Sequence, residues 1–249
     1  MTSRLPCLSR EKISVQQFNA ATADEFAAIL NGPSRVAARW LATAAEHGIA
    51  EAQVHYGQRL LQGKGVEANP GQALHWFKAA ARCNNAMAMN LVGRCYENGW
   101  GIEADMAIAT YWFRRSAAYG LDWGMYNYAT SLTLGRGVKA DRVEALAWLK
   151  KAADLGHVKS LNILGGFYED GWEVEPDADT ALEYYRLAAE GGDFRGQFNY
   201  GRLLAGRDRM PEALAWMRRV PETATPAFLE KMRQFLATAA QHELRSLAV

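Results

Sequence analysis

The side chains best placed to do chemistry are five histidines, one group of carboxylates and a glycine–lysine loop. His47, His55, His75, His157 and His242 include no H-E-x-x-H pair and no Cys/His spacing of a zinc site. His47 and His157 flank glycines that end helices, where an imidazole covers terminal carbonyls. Asp170, Glu173, Glu175, Asp177 and Asp179 offer oxygens to a hard cation, but their order is not that of a calcium loop. A solvated acidic loop is the better reading. Gly57 to Lys64 has the outline of a phosphate loop. Its spacing is one residue too long, Gly65 stands where Ser or Thr is needed, and Gly57 falls inside a helix. No G-x-S-x-G elbow occurs. No catalytic residue, metal ligand or cofactor-binding residue is therefore assigned, and no cofactor is expected. Arg202, Arg207, Arg209, Arg218 and Arg219 oppose the acidic loop in sign. That is either a gradient that orients a partner or an ordinary charged surface. Trp100 and Trp172 are either rings packed over a neighbouring loop or exposed anchors.

The elements that carry these residues are set by a repeat. Trp40, Trp76, Trp112, Trp148 and Tyr184 recur every 36 residues, and self-similarity at such a period marks stacked supersecondary units. Three residues before each ring stands Ala37, Ala73, Ala109, Ala145 or Ala181. Four after stands Ala44, Ala80, Ser116, Ala152 or Ala188. A ring flanked by small residues at i−3 and i+4 describes one face of a helix, helix B, with the ring as its knob. Asn69, Asp105, Asp141 and Asp177 are its N-caps, and Gln72 and Glu144 are placed to complete capping boxes. Gly48, Asn84, Gly120, Gly156 and Gly192 end it in the left-handed conformation. A preceding helix A carries Gly57, Gly93, Ala129, Gly165 and Gly201. A turn follows it, with Gly63, Gly99, Gly135 and Gly171, then Gly65, Gly101 and Gly137 two residues on.

This unit resembles the Sel1-like repeat, a relative of the tetratricopeptide repeat, over roughly residues 34 to 220. The matching stretches run from Tyr56-Gly57 to Asn84, Val92-Gly93 to Gly120, Tyr128-Ala129 to Gly156 and Leu164-Gly165 to Gly192. The resemblance implies an all-α, right-handed α-solenoid of stacked helix-turn-helix repeats with a 36-residue period. About five repeats are expected, with N- and C-terminal capping helices. Glu173 replaces the second loop glycine, so a reshaped turn is expected there. The fifth unit has a shortened loop around Arg207 to Pro211, and its helix B is expected to end at Pro221. Phe26, Ile29 and Leu30 predict a short helix before Ser34 caps the first helix B. Phe228, Met232, Phe235 and Ala239 predict a closing helix over 226–246, capped by Thr225. Residues 1–20 read as an N-terminal arm, 21–220 as the repeat array and 221–249 as the C-terminal cap.

A formal net charge of +1 recruits neither nucleic acid nor an acidic membrane, and no apolar run reaches bilayer length. The first twenty residues lack an apolar signal core. Cys7, Cys83 and Cys95 lack a disulfide framework. The expected location is cytoplasmic. The oligomeric state is open, with a monomer favoured.

In the related tetratricopeptide stack, helix A lines a concave groove. Carried onto this chain, the groove stripe is Val54, Gln58, Leu61; Asn90, Arg94, Glu97; Tyr126, Thr130, Thr133; Asn162, Gly166, Glu169; and Phe198, Arg202, Ala205. Met87, Trp123, Lys159 and Arg195 lie one turn earlier. Asn90, Arg94, Trp123, Tyr126, Lys159, Asn162, Arg195, Phe198 and Arg202 mix amide, cation and ring, which suits an extended peptide. The function expected is a non-enzymatic adaptor or scaffold holding a protein or peptide segment. The alternatives are an enzyme accessory subunit or hydrolase, and a binder of cell-wall sugars or peptides that would use Trp100, Trp123 and Trp172.

Overall fold

The computed structural model describes residue 13 and residues 15–248, so most of the expected N-terminal arm, with Cys7, lies outside the described residues. Among the described residues there are fifteen α-helices and no strand. Helices α1 (Val15–Ala20) and α2 (Ala23–Asn31) lead into α3 (Ser34–Glu46). Pairs follow: α4 (Ala50–Gln62) with α5 (Pro70–Arg82), α6 (Ala86–Asn98) with α7 (Met106–Ala118), and α8 (Asp122–Leu134) with α9 (Arg142–Asp154). Next come α10 (Val158–Asp170) with α11 (Ala178–Glu190), then α12 (Phe194–Ala205) with α13 (Met210–Met217). The chain closes with α14 (Pro226–Ala237) and α15 (His242–Arg245). Even-numbered members from α4 to α12 are A helices, and odd-numbered members from α3 to α13 are B helices. The chain divides into two compact units. Unit 1 holds residues up to Asn127 with Arg136–Lys139, and unit 2 holds Tyr128–Gly135 and the residues from Ala140 onward.

Local chemistry starts α5, α7, α9 and α11 and stops α3, α5, α7, α9 and α11 as expected. The side chains of Asn69, Asp105, Asp141 and Asp177 accept from first-turn amides of α5, α7, α9 and α11, satisfying donors that have no partner in the helix. Gly48, Asn84, Gly120, Gly156 and Gly192 all have φ between 60° and 86°, the left-handed region that closes a helix. The first four A-to-B loops turn at Gly63, Gly99, Gly135 and Gly171. At Gly65 and Gly137 a Cβ would run into the carbonyls of Ser34 and Met106. Those loops press on the start of a B helix, and glycine is what allows the approach.

The cores form where an A helix meets its B helix, and the deepest knob is not the repeating tryptophan. Leu41, Phe77, Phe113, Leu149 and Tyr185, each one residue later, are buried, whereas Trp40, Trp76, Trp112, Trp148 and Tyr184 are half-buried. The helix-A glycine explains the choice. A Cβ on Gly57 would lie 2.5 Å from the Phe77 ring, on Gly93 2.6 Å from Phe113, and on Gly165 2.5 Å from Tyr185. The ring fills the space a side chain would need, so glycine in mid-helix is offset by packing. The tryptophan packs at the rim, as Trp76 does edge-on to Tyr56 and Trp148 to Tyr128, each at 6.0 Å. Ala73, Ala109, Ala145 and Ala181, three before the tryptophan, are fully buried.

Several expectations are corrected. The fourth loop is not reshaped: Glu173 itself takes φ 56°. Hydrogen bonds from Trp172 N to Phe167 O and from Asp177 N to Tyr168 O hold it, as those from Trp100 N to Cys95 O and from Asp105 N to Tyr96 O hold the second loop. Left-handed backbone in a residue with a Cβ costs about 1–2 kcal/mol. Ser34 does not cap α3, because Val36 and Ala37 donate to Pro33 O and the cap falls there. Glu144 closes no capping box, since its carboxylate accepts from Tyr128 OH and Trp148 Nε1. Gln72 closes none either, and a reciprocal box forms instead at Thr22 and Glu25. The fifth helix B stops at Met217, and Pro221 lies inside a 3-10 turn over Val220–Glu222 that buries Val220. The closing helix is capped by Thr225 but ends at Ala237. Arg245 Nη1 then turns back to the carbonyls of Ala239 and Ala240, which seats Leu244 in the C-terminal core. The His157 backbone N–H donates to Ala152 O at the end of α9, while its imidazole caps the next helix. His157 is buried, and its Nδ1 accepts from Ser160 N as the N-cap of α10.

Candidate functional site

In unit 1 the candidate residues come from α6 and the first turns of α8. Asn90 is buried, and its Oδ1 accepts from Nδ2 of Asn127 at 2.8 Å. Arg94 is paired with Glu97 one turn on, at 2.5 Å, and its guanidinium lies 5.7 Å from the Trp100 ring. Trp100 is 37% exposed, so this loop ring is a partly open lid on Arg94. Trp123 is 40% exposed and sits edge-on to Tyr126, with ring centroids 6.2 Å apart. Val54, another stripe position, is core.

In unit 2 the candidates come from α10 and α12. Asn162 Oδ1 accepts from Nδ2 of Asn199 at 2.9 Å, the same bridge as in unit 1. Arg202 Nη2 donates to both oxygens of Glu169, at 2.8 and 2.6 Å, and Tyr185 OH donates to the same carboxylate at 2.8 Å. Burial alone would push the Glu169 carboxyl up. The hydrogen bonds from Arg202 and Tyr185, with the Arg202 charge, hold it below the usual range. Burial and the Glu169 hydrogen bond push the Tyr185 hydroxyl well above its usual value. Phe198 packs on Phe228 and Phe235 of the closing helix, 5.6 and 5.1 Å away. Arg195 is exposed, with its guanidinium over Phe194 at 4.5 Å and Phe228 at 5.7 Å. Asp193 is buried as the N-cap of α12. Burial raises its carboxyl against the opposing pull of the Gly196 amide, Arg195 and Lys159.

Sequence reasoning missed Asn127 and Asn199. Each stands 37 residues after its partner, one step out of the repeat, so alignment on a 36-residue ruler hides the pairing. The usable signal is that both pairs recur 72 residues apart. The fourth loop brings no carboxylate cluster together. Asp177 caps α11, and Asp179 pairs with Arg207 at 2.7 Å. Trp172 is half-buried, edge-on to Phe167 and covered by Arg142 at 4.4 Å. Among the described residues no group of His, Cys, Asp or Glu is arranged to hold a metal ion. No described helix is long and apolar enough to cross a membrane.

Comparison with known proteins agrees with this architecture. A Sel1 repeat protein from Oxalobacter formigenes is 25% identical, over 87% of this chain and 91% of that one, with a TM-score of 0.74. The protective antigen c5321 of uropathogenic Escherichia coli, which displays an SLR fold, is 28% identical over 90% of this chain, with a TM-score of 0.72. This chain spans 50% of that antigen's structure. Immunity protein Pa5087 from Pseudomonas aeruginosa, 20% identical over 79% of this chain and 74% of that one, shares the fold with a TM-score of 0.53. No curated protein sequence matches. Sel1 repeats are found at residues 50–85, 86–120, 124–157 and 158–193, each an A helix followed by its B helix. Such repeats generally serve as protein-interaction scaffolds. With these four repeats spanning more than half of its length, the chain belongs to the Sel1 repeat family.

Proposed function

We propose that this protein is a non-enzymatic adaptor that holds an extended peptide or protein segment on its helix-A faces. The observation that carries the reading is Trp123. A tryptophan 40% exposed and held edge-on by Tyr126 is the type of rigid, pre-placed ring that dominates binding energy at interfaces. An amide bridge adds polar groups to the helix-A face of each unit. Asn90 and Arg94 supply an amide and a cation on the helix-A face of unit 1, and Lys159, Asn162, Arg195 and Arg202 supply them on that of unit 2. Phe198 contributes from beneath the closing helix. Cys83 and Cys95, both free thiols, suit work in a reducing compartment, the cytoplasm.

The test is binding of the full chain to an immobilised array of random 12-residue peptides. Replacing Trp123 and Tyr126 together by Ala should weaken the peptides retained through unit 1 at least tenfold, the size of a hot-spot loss. The melting temperature should stay within about 2 °C, as expected for partly exposed positions. Undiminished binding of every retained peptide would contradict the reading.

A further inference from the structure

The helix-A face of unit 2 carries hydrogen-bonding capacity that its own fold leaves unspent. In the Asn162–Asn199 bridge each side-chain amide uses one of its two polar ends. Nδ2 of Asn162 and Oδ1 of Asn199 have no protein partner among the described residues. Turning both amides over exchanges the roles and still leaves one donor beside one acceptor. A donor next to an acceptor is the complement of a peptide group, which offers one C=O and one N–H.

Arg195, Asn199 and Arg202 follow one another at i, i+4 and i+7 on α12, which places them on one narrow face. The Arg195 guanidinium has no hydrogen bond or ion pair to a carboxylate among the described residues; its backbone N–H and its charge act on Asp193. Its guanidinium rests on Phe194 and Phe228, which hold the flat group in place while its N–H edges stay available. Arg202 spends only Nη2 on Glu169, so Nε and Nη1 remain. The negative field at Arg202 already includes Glu169 and Asp170. Asp193 stands near Arg195 but is buried and occupied as a cap. The unsatisfied positive site on this face is therefore Arg195.

We propose that unit 2 selects an acidic extended segment: one main-chain peptide group sits on the Asn162–Asn199 bridge, and an Asp or Glu side chain of the same segment sits on Arg195. Residues four apart on a helix are about 5–6 Å apart at Cβ, and an extended chain advances about 3.3–3.6 Å per residue. A carboxylate one or two residues from the bound peptide group reaches the guanidinium. The inference rests on the adaptor reading and adds the class of partner.

The same array of random 12-residue peptides distinguishes the two claims. The wild-type chain should enrich peptides containing Asp or Glu, and binding of these should fall as NaCl is raised. Arg195→Glu should lose the acidic peptides about tenfold or more, the value of a charged hydrogen-bonded pair, and shift the preference to Lys and Arg. Arg195→Gln should lose the preference without inverting it. Asn162→Ala with Asn199→Ala should weaken acidic sequences together, whatever their remaining side chains. Melting followed by circular dichroism confirms that each variant is folded. An acidic preference that survives Arg195→Glu, or peptides retained with no acidic preference, would overturn this inference and leave the adaptor reading in place. A wild-type chain that retains no peptide would overturn the adaptor reading itself, and this inference with it.

Discussion

Asn90 with Asn127 in unit 1, and Asn162 with Asn199 in unit 2, make the same amide bridge between successive A helices, but their surroundings differ. In unit 1 the neighbours are rings: Trp123 on Tyr126, and Trp100 beside an arginine already engaged by Glu97. In unit 2 the neighbours are cations. The Arg195 guanidinium lies on aromatic rings with no carboxylate hydrogen-bonded to it among the described residues, and Arg202 is clamped by a carboxylate that Tyr185 also holds. The backbone of the repeat sets where an amide bridge can form. The side chains around it decide whether the face is apolar or charged. A repeat protein can thus change the chemistry of its helix-A face along one chain without altering its packing rule.

The shared packing rule is the place where the comparison breaks first. Phe113→Ala in unit 1 should cost about 3–5 kcal/mol, as truncation of a buried ring does. Adding Gly93→Ala should recover part of that loss, because the new methyl enters the space the ring vacated, whereas Gly93→Ala alone should destabilise by about 1–3 kcal/mol through overpacking. Thermal melts of the three variants test this, and costs that simply add would mean that ring and glycine do not share the space. Tyr185 with Gly165 in unit 2 should behave alike.

The charged pairs should separate the units. Arg202→Ala leaves half-buried Glu169 without its cation and should cost about 1–3 kcal/mol. Arg94→Ala removes an i,i+3 surface pair and should cost about 0.5 kcal/mol or less. The sign of the pH effect follows from Glu169, whose carboxyl is held below the ordinary 4.5. Its contribution is complete above that value and fades as pH falls through the lower folded-state pKa. Glu169→Gln should therefore flatten the acid limb of the stability curve below about pH 4.5. An unchanged acid limb would remove the clamp from the account of unit 2.

The smallest effect concerns the loops. Glu173→Gly should gain about 1 kcal/mol or less, since relief of left-handed strain is partly offset by a looser unfolded chain. A loss would mean that Glu173 makes a contact worth more than its strain.

Helix starts and stops were readable because capping and positive φ are local properties. Asp105 and Gly120 act within a few residues of themselves, and they behave as their types require. Asn84 obeys the same rule and Glu173 breaks it, because the backbone bonds of the fourth loop outweigh one residue's preference. The core was legible only to within one residue. Tryptophan draws the eye in the repeat, yet it is too large to enter opposite a helix-A glycine, and Phe77, Phe113 and Tyr185 take that place. His157 as a cap, the early stop of α14 and the position of Phe198 under α14 depend on tertiary burial, which no short window shows. The amide bridges escaped notice because they connect positions one step out of register between repeats.

Amide hydrogen exchange, read by mass spectrometry with and without the tightest 12-residue peptide from the array, tests the central claim most directly. The account predicts added protection in the segments carrying Asn90 and Arg94, Trp123 and Tyr126, or Asn162, Asn199 and Arg202. The exposed B-helix positions Tyr111 and Val143 should be unchanged. Protection gathered on the segments around Tyr111 and Val143, with the helix-A segments unaffected, would contradict it.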